Sequence, residues 1–500
     1  MMNKMMKMAA HISAFLLLLT VCACSGNGLD SALRSSFSDG EITQQEWNHF
    51  VEIAKNQKEF IANGKFDPNL LDRYVREKAL DYHRGEIKCD YLLSDAEGSV
   101  SSNASPINFK FFLERSGSMV FYDSPQCRGD FKSTLSKLLN SVPEKSRGDI
   151  YVVNSKVSKY PKSFKQFMMS NDVFADTKGY GDPSYTDFSS IFDYLLTNTG
   201  SNEVSILSSD MIYSLANTKG VNPQKVMMAA QNMATSVFKD HLDKSAVIVK
   251  LNADYVGSYY PFDAPRKGIP YRGNRPYYLL IVGKSDVLHR LFTEDAYKEF
   301  ADIKSLPGFE NYYCFDKSGQ TPYYSVLLSN RRNRGRFGAA KDQGHTIHNL
   351  ENVEIDDHAG CSVVTIAADL SGVITQPDYL LNKDNYEITS LSGYKIQSIE
   401  PISQTDKENQ TVKLYAPDAT HIITLVTRGP IMNETLTLAL KNSLPQWIDD
   451  SNSEDDRNVH ASNFKHTSFA FKHLMQGIYD AYFDAQGKSY IFKLNMNINN

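Results

Sequence analysis

The chain has 500 residues, 41% hydrophobic and 22% charged, with 28 Gly and 18 Pro, which excludes a peptide, a collagen-like fibre and a disordered chain and requires two or three folded units. Its 53 Lys and Arg stand against 58 Asp and Glu, a formal net charge of -5, so no overall positive field exists to gather nucleic acid. Twenty-eight Tyr and 27 Phe beside two Trp suit contact surfaces as readily as cores.

Residues 1–23 have the layout of an export signal: Lys4 and Lys7, an apolar run at 12–21, and a small residue, Ala23, before Cys24. The run is shorter than the ~20 residues a membrane-spanning helix needs. Val21-Cys22-Ala23-Cys24 resembles the lipobox of bacterial lipoproteins with Cys24 as the acylated residue, and Ser25 does not resemble the Asp of the inner-membrane retention signal. The resemblance implies a lipid-anchored protein of the bacterial cell envelope, at the outer membrane. Cys89, Cys127, Cys314 and Cys361 are compatible with disulfides and with isolated thiols.

Residues 24–106 are expected to form a helical spacer and linker. Thr43-Gln44-Gln45-Glu46 is a capping box ahead of Trp47, Phe50, Val51, Ile53 and Ala54, and the Ser- and Asn-rich stretch 99–105 is a linker. From 107 to 292, apolar strands at 107–113, 150–153, 204–207, 246–251 and 277–282 alternate with amphipathic helices. That alternation predicts an α/β fold with a doubly wound, mostly parallel sheet, and places Leu113, Leu207 and Ile281 inside it. The Tyr-, Pro- and Gly-rich residues 255–276 are expected to be a surface insertion.

Residues 293–360 are expected to be an irregular connection. Arg331, Arg332, Arg334 and Arg336 lie in it, a run that suits a solvated face and could also grip an anion. Short strands at 363–366, 394–399, 411–415, 421–426 and 435–440 predict a β-sandwich-like module over 361–445. Residues 446–500 follow as a solvated acidic loop at 449–456, a helix at 469–483 and a strand at 490–494.

The chemistry concentrates in three places. Glu114-Arg115-Ser116-Gly117-Ser118 ends the first strand, Thr186 and Asp187 end a Gly-containing loop before a helix, and Asp210 follows the strand 204–207. In order and context these elements, spread over 105–292, resemble a von Willebrand factor A domain, whose metal site opens with Asp-x-Ser-x-Ser; here Glu114 stands at the Asp place. The resemblance implies a vWA-like, Rossmann-like fold and a Mg²⁺ or Mn²⁺ site. Ser116, Ser118 and Thr186 would ligate directly, Glu114 and Asp210 would act mostly through water, and Asp187 would steady the ligands. Mg²⁺ takes six hard oxygens at ~2.1 Å and parts with water reluctantly, so hydroxyls and distant carboxylates suffice. One position stays open for an acidic group of a partner.

The function implied is adhesion or scaffolding on a macromolecular partner, a protein with an acidic contact residue. No Gly-x-Ser-x-Gly elbow, His-Glu-x-x-His helix or Walker loop is present. The alternatives are an envelope hydrolase or carbohydrate-processing enzyme, and a soluble-ligand receptor using the surface at 255–278. His345, His348, His358 and Cys361 offer Zn²⁺ donors in principle, though solvated histidines are the commoner case.

Overall fold

A computed structural model describes residues 29, 32–33, 41–55, 57–62, 65–82, 88–90, 105–214, 219–264, 267–316, 321–340, 346–483 and 490–500. The expected leader, Cys24 and His345 lie outside the described residues. Two compact units are present, Met1–Asn103 and Ala104–Asn500. In the first, α1 (Gln44–Ala54) and α2 (Pro68–Tyr82) enclose Trp47, Phe50, Val51, Phe60, Leu71 and Val75. A strand at Glu41–Thr43 pairs in parallel with Lys88–Asp90. Among the described residues no helix is long and apolar enough to cross a membrane.

The second unit is mixed α/β. Its large sheet uses β1 (Asn108–Glu114), β2 (Arg147–Val153), β3 (Val157–Tyr160), β4 (Glu203–Ser209), β5 (Lys244–Tyr259), β6 (Ile269–Lys284) and β7 (Phe309–Phe315). They lie in the order β7-β5-β6-β4-β1-β2-β3. Residues alternate between two buried faces: Phe109, Phe111 and Leu113 of β1 join one core, Phe112 the other. Helices α3 (Asp130–Ser141) and α6 (Ser285–Thr293) cover the first face. Helices α4 (Phe188–Thr197) and α5 (Pro223–Lys239) cover the second. Burying each Leu, Ile or Phe between such layers contributes about 1.5–3 kcal/mol, which is why these strands read as continuous apolar runs. Leu113, Leu207 and Ile281 are fully buried.

The parallel pairing expected of the whole series is confined to the centre, where β1 pairs in parallel with β2 and β4. The strands at 246–251 and 277–282 are arms of one antiparallel hairpin, β5 and β6, in register from Lys244↔Lys284 to Tyr259↔Ile269. The supposed insertion at 255–276 is therefore mostly strand. The nine-residue loop 260–268 between them is too short for the crossover that parallel neighbours need. Tyr255, Gly257 and Tyr259 alternate at the strand period, a signal masked by their turn-forming neighbours.

The stretch 293–360, expected to be irregular, supplies β7 to the large sheet and three strands to a β-sandwich. These are β8 (Tyr324–Val326), β9 (Arg336–Ala339) and β10 (Asn349–Glu354). They are joined by β11 (Ser362–Ala368), β12 (Tyr386–Thr389), β13 (Lys395–Pro401), β14 (His421–Thr427), β15 (Glu434–Lys441) and β16 (Tyr490–Ile498). The two sheets run β8-β11-β14-β13 and β9-β10-β16-β15-β12. They share one core of Val364, Ile366, Ile423 and Leu425 against Leu436, Leu438, Leu494 and Met496. The strand expected at 411–415 is instead a helix, α7 (Gln410–Tyr415). Asn409 accepts the Thr411 N–H at 2.8 Å, and this cap overrides the strand preference of Thr411 and Val412.

After the sandwich strand β15 the chain returns to the large sheet. Helix α8 (Phe471–Tyr482) buries Phe471, Leu474, Ile478 and Tyr482 in the same core as Val226, Ala230 and Phe238 of α5. Gly477 permits this: a Cβ there would stand 2.3 Å from the Gln231 carbonyl oxygen and 2.8 Å from the Ala234 Cβ. Gly477→Ala should therefore lower the urea midpoint, since overpacking of about 1–3 kcal/mol exceeds the roughly 1 kcal/mol of helix propensity gained. A midpoint equal to or above wild type would mean that α5 and α8 part without cost.

Candidate functional site

The parallel alignment of β1 with β4 brings their carboxyl ends together, the place where open α/β sheets present ligand sites. Glu114 is the last residue of β1 and Asp210 the first after β4; both are buried. Thr186 donates to Glu114 Oε1 at 2.5 Å, and Ser209 donates to Oε2. Ser116 and Ser118 hydroxyls lie 3.1 Å apart, and Met119 N–H donates to Ser116 Oγ at 3.3 Å. Five residues chosen from sequence, Glu114, Ser116, Ser118, Thr186 and Asp210, line one pocket of about 30 Å³ together with Pro183, Tyr185 and Tyr260. That is room for about one water-sized occupant.

Asp187 acts through the start of helix α4. Its carboxylate caps α4, accepting from Ser190 N at 3.2 Å and Ser190 Oγ at 2.7 Å. It fixes the helix start, and through it the neighbouring Thr186, without lining the pocket.

Residues not singled out from sequence hold the loops. Asn154, buried just past β2, donates to the Tyr180 carbonyl at 2.6 Å and the Arg115 carbonyl at 3.3 Å, and its own carbonyl accepts from Asp187 N at 3.0 Å. Through its side-chain amide and its backbone carbonyl, Asn154 thus ties its own loop to the loop after β1 and to the loop before α4. Gly181 has φ 74°, and a Cβ there would lie 1.9 Å from Asn154 Oδ1, so only glycine fits. Met211 has φ 53°, a conformation costly for a residue with a side chain. That turn lets Met211 N–H reach Ser209 Oγ at 2.9 Å and Ile212 N–H reach Asp210 Oδ1 at 3.2 Å. Ser209 had a local signal, since it precedes Asp210 at a strand end; Asn154 had none.

The returning segment also reaches the site. Ser468 Oγ donates to the Asp210 carbonyl at 2.8 Å. Asp456, expected in a solvated loop, is 1% exposed and accepts from Tyr259 Oη at 2.6 Å and Phe262 N at 3.2 Å. Burial pushes its carboxyl up to about 6. Arg275 is buried beside it, with Nη1 on the Phe464 carbonyl and its guanidinium 4.8 Å from the Tyr259 ring centre and 4.1 Å from that of Phe464.

Two carboxylates in so dry a place disfavour each other's charge. Burial, then the field of Asp210, pushes Glu114 up to about 8; burial likewise raises Asp210. Asp210 Oδ2 is buried without a hydrogen-bond partner among the described residues, while the nearby Ser118 hydroxyl opposes the rise at that carboxyl. No Lys or Arg is among the pocket-lining residues, so nothing in the lining neutralises the pair. The oxygen-rich, hydroxyl-dominated donor set is one that a small hard cation fits. Among the described residues no three His, Cys, Asp or Glu side chains converge; here the carboxylates number two and hydroxyls make up the rest. No family model, no curated protein and no solved structure matches the chain.

Because folded Glu114 holds a proton that the unfolded chain releases above about pH 4.5, its contribution to stability is complete below that pH and is lost as pH rises through about 8. In chelator-treated protein, wild-type melting temperature should fall over this window relative to Glu114→Gln, by the equivalent of roughly a few kcal/mol. Parallel curves for the two proteins would show that Glu114 carries no such penalty.

Proposed function

We propose that this chain is a lipid-anchored envelope protein that holds a macromolecular partner through a cation-dependent adhesion site of the von Willebrand factor A kind. The observation that carries the proposal is Asp210 Oδ2, buried without a hydrogen-bond partner among the described residues, in a pocket whose lining has a second carboxylate, the hydroxyls of Ser116, Ser118 and Thr186 among others, and no Lys or Arg. A bound Mg²⁺ or Mn²⁺ would offset the like-charge repulsion and leave an open coordination position for an acidic group of the partner.

Ser116, Ser118 and Thr186 are the direct ligands in this proposal. Thr186 donates its hydrogen bond to Glu114 and keeps its oxygen lone pairs for the ion. Glu114, engaged by two hydroxyls, orients ligands rather than ligating. Asp210 supplies the charge. The proposed partner contact surrounds the pocket mouth, where Pro183, Tyr185, Tyr260 and Pro261 offer the amphipathic surface common at interfaces.

Calorimetry on the full chain tests the ion. Mg²⁺ or Mn²⁺ at millimolar concentration should release or absorb heat with wild type, and Ser118→Ala and Asp210→Asn should abolish it while leaving the fold intact. Absence of heat with wild type would leave a metal-free interaction domain. For the anchor, Cys24→Ser should move the protein from the membrane fraction to the soluble one, and unchanged detergent partitioning would refute lipidation. A pull-down from intact envelopes should lose its captured partner when a chelator is added.

A further inference from the structure

The arginine run plays no part in the site at β1 and β4, and the fold gives it a definite setting. Residues 330–334 form a turn against the outer face of the sheet β8-β11-β14-β13. Arg334 and Val363 of β11 exchange backbone hydrogen bonds at 3.2 and 2.9 Å. Asn333 Nδ2 donates to the Leu327 carbonyl at 2.8 Å, and Arg332 N donates to Asn330 Oδ1 at 3.0 Å. Arg332 forks onto Asp406 at 2.6 and 3.1 Å and reaches Glu400 at 3.2 Å, holding Asp406 down to about 2. That guanidinium is committed to structure.

Arg331 and Arg334 are not so committed. Both are exposed, and among the described residues neither pairs with a carboxylate; Arg334 Nη1 donates to the carbonyls of Arg331 and Asn333 at 2.9 and 2.7 Å. With Arg332 they line a groove of about 460 Å³ whose other walls are Gln397, Ser398, Glu400 and Thr424. A bulge at Gln397 interrupts the pairing of β13 with β14, which passes from Ile396↔Leu425 to Ser398↔Thr424. Bulges re-aim side chains, and this one puts two consecutive polar residues, Gln397 and Ser398, on the groove. Thr424 is 2% exposed and its hydroxyl has no hydrogen-bond partner among the described residues. A buried unpaired hydroxyl costs about 1–3 kcal/mol, so an orphan in a groove wall points to a ligand that completes it.

We infer that this groove binds an oxyanion ester on a hydroxyl-bearing body, a phosphorylated or sulfated sugar, with Arg331 and Arg334 on the oxyanion and Gln397, Ser398 and Thr424 on sugar hydroxyls. Arginine forks match tetrahedral oxyanions. The groove exceeds a bare ion by an order of magnitude in volume, taking about 30 Å³ for a water-sized occupant, and its neutral part is made of amide and hydroxyl groups, which suit a polyol. The turn is fixed by its own hydrogen bonds, so binding orders few side chains beyond the two arginines.

Calorimetric titration of the full chain with glucose 6-phosphate, glucose 6-sulfate, inorganic phosphate and glucose tests this. The two esters should bind, inorganic phosphate more weakly, and glucose not measurably. Arg331→Gln with Arg334→Gln should weaken ester binding about tenfold or more, whereas Arg336→Gln, an equal loss of charge at an exposed residue outside the groove, should not. Thr424→Val should weaken the esters severalfold while leaving the melting temperature of the unliganded protein unchanged or raised. Silence from both esters, equal losses in the Arg331/Arg334 and Arg336 variants, or inorganic phosphate binding as tightly as the esters would overturn the assignment.

Discussion

Two carboxylates set side by side out of water constrain much of the second unit. Glu114 and Asp210 end adjacent parallel strands, where the sheet gives them fixed separation and the helices exclude solvent. In that environment burial raises the proton affinity of both, and the field of Asp210 raises that of Glu114 further; the surrounding chain answers with hydrogen bonds rather than with a salt bridge. Ser209 and Thr186 donate hydrogen bonds to Glu114. The buried Arg275 is the cation whose field opposes the shift at Asp210, yet burial outweighs it. A site arranged in this way stores repulsion, and a bound cation or a proton relieves it.

Holding the hydroxyls in place requires features that otherwise look wasteful. A left-handed Met211 costs of order 1–3 kcal/mol, but it aims two N–H groups at Ser209 and Asp210. Asn154 surrenders its amide to two loop carbonyls, and Gly181 exists to let it approach. The same logic explains the chain's second visit to the sheet. Ser468 on the Asp210 carbonyl and Asp456 on Tyr259 bring a segment that follows the sandwich onto the site, while β16 returns to the sandwich between β10 and β15. The segment between β15 and β16 thus leaves and re-enters one sandwich sheet while its helix packs on the large sheet, and site and sandwich belong to one compact unit.

What was legible in sequence was local. The peptides around Glu114 and Asp210 announced themselves as short polar breaks after continuous apolar runs, Thr186 as the end of a Gly-containing loop before a helix, and the fold does bring them to one pocket. The hairpin of β5 and β6 was hidden because the Pro and Gly among its tyrosines carry turn preferences that tertiary pairing overrode. The helix at Gln410–Tyr415 was missed because β-branched residues outweighed a one-residue cap. Asp456 looked solvated among its acidic neighbours, and only the long-range approach of Tyr259 and Phe262 buries it. Asn154 acts through carbonyls of distant loops, which no spacing rule can foresee.

The glutamate at the place where the resembled family has aspartate gains a physical sense from the geometry. Its extra methylene lets one carboxylate span Thr186 and Ser209, one oxygen for each, whereas a shorter side chain at the same strand end would sit farther from at least one of them. Lengthening the carboxylate therefore shifts it from charge donor to organiser. In the proposed site this leaves Asp210, whose Oδ2 is unpartnered, as the principal charge, and three hydroxyls as the direct ligands. Such a set binds a hard cation less tightly than two free carboxylates would, and a weakly held ion keeps more of its attraction for an incoming acidic group. The proposed adhesion, in which a partner's carboxylate completes the coordination, fits that balance better than a permanently occupied structural ion does.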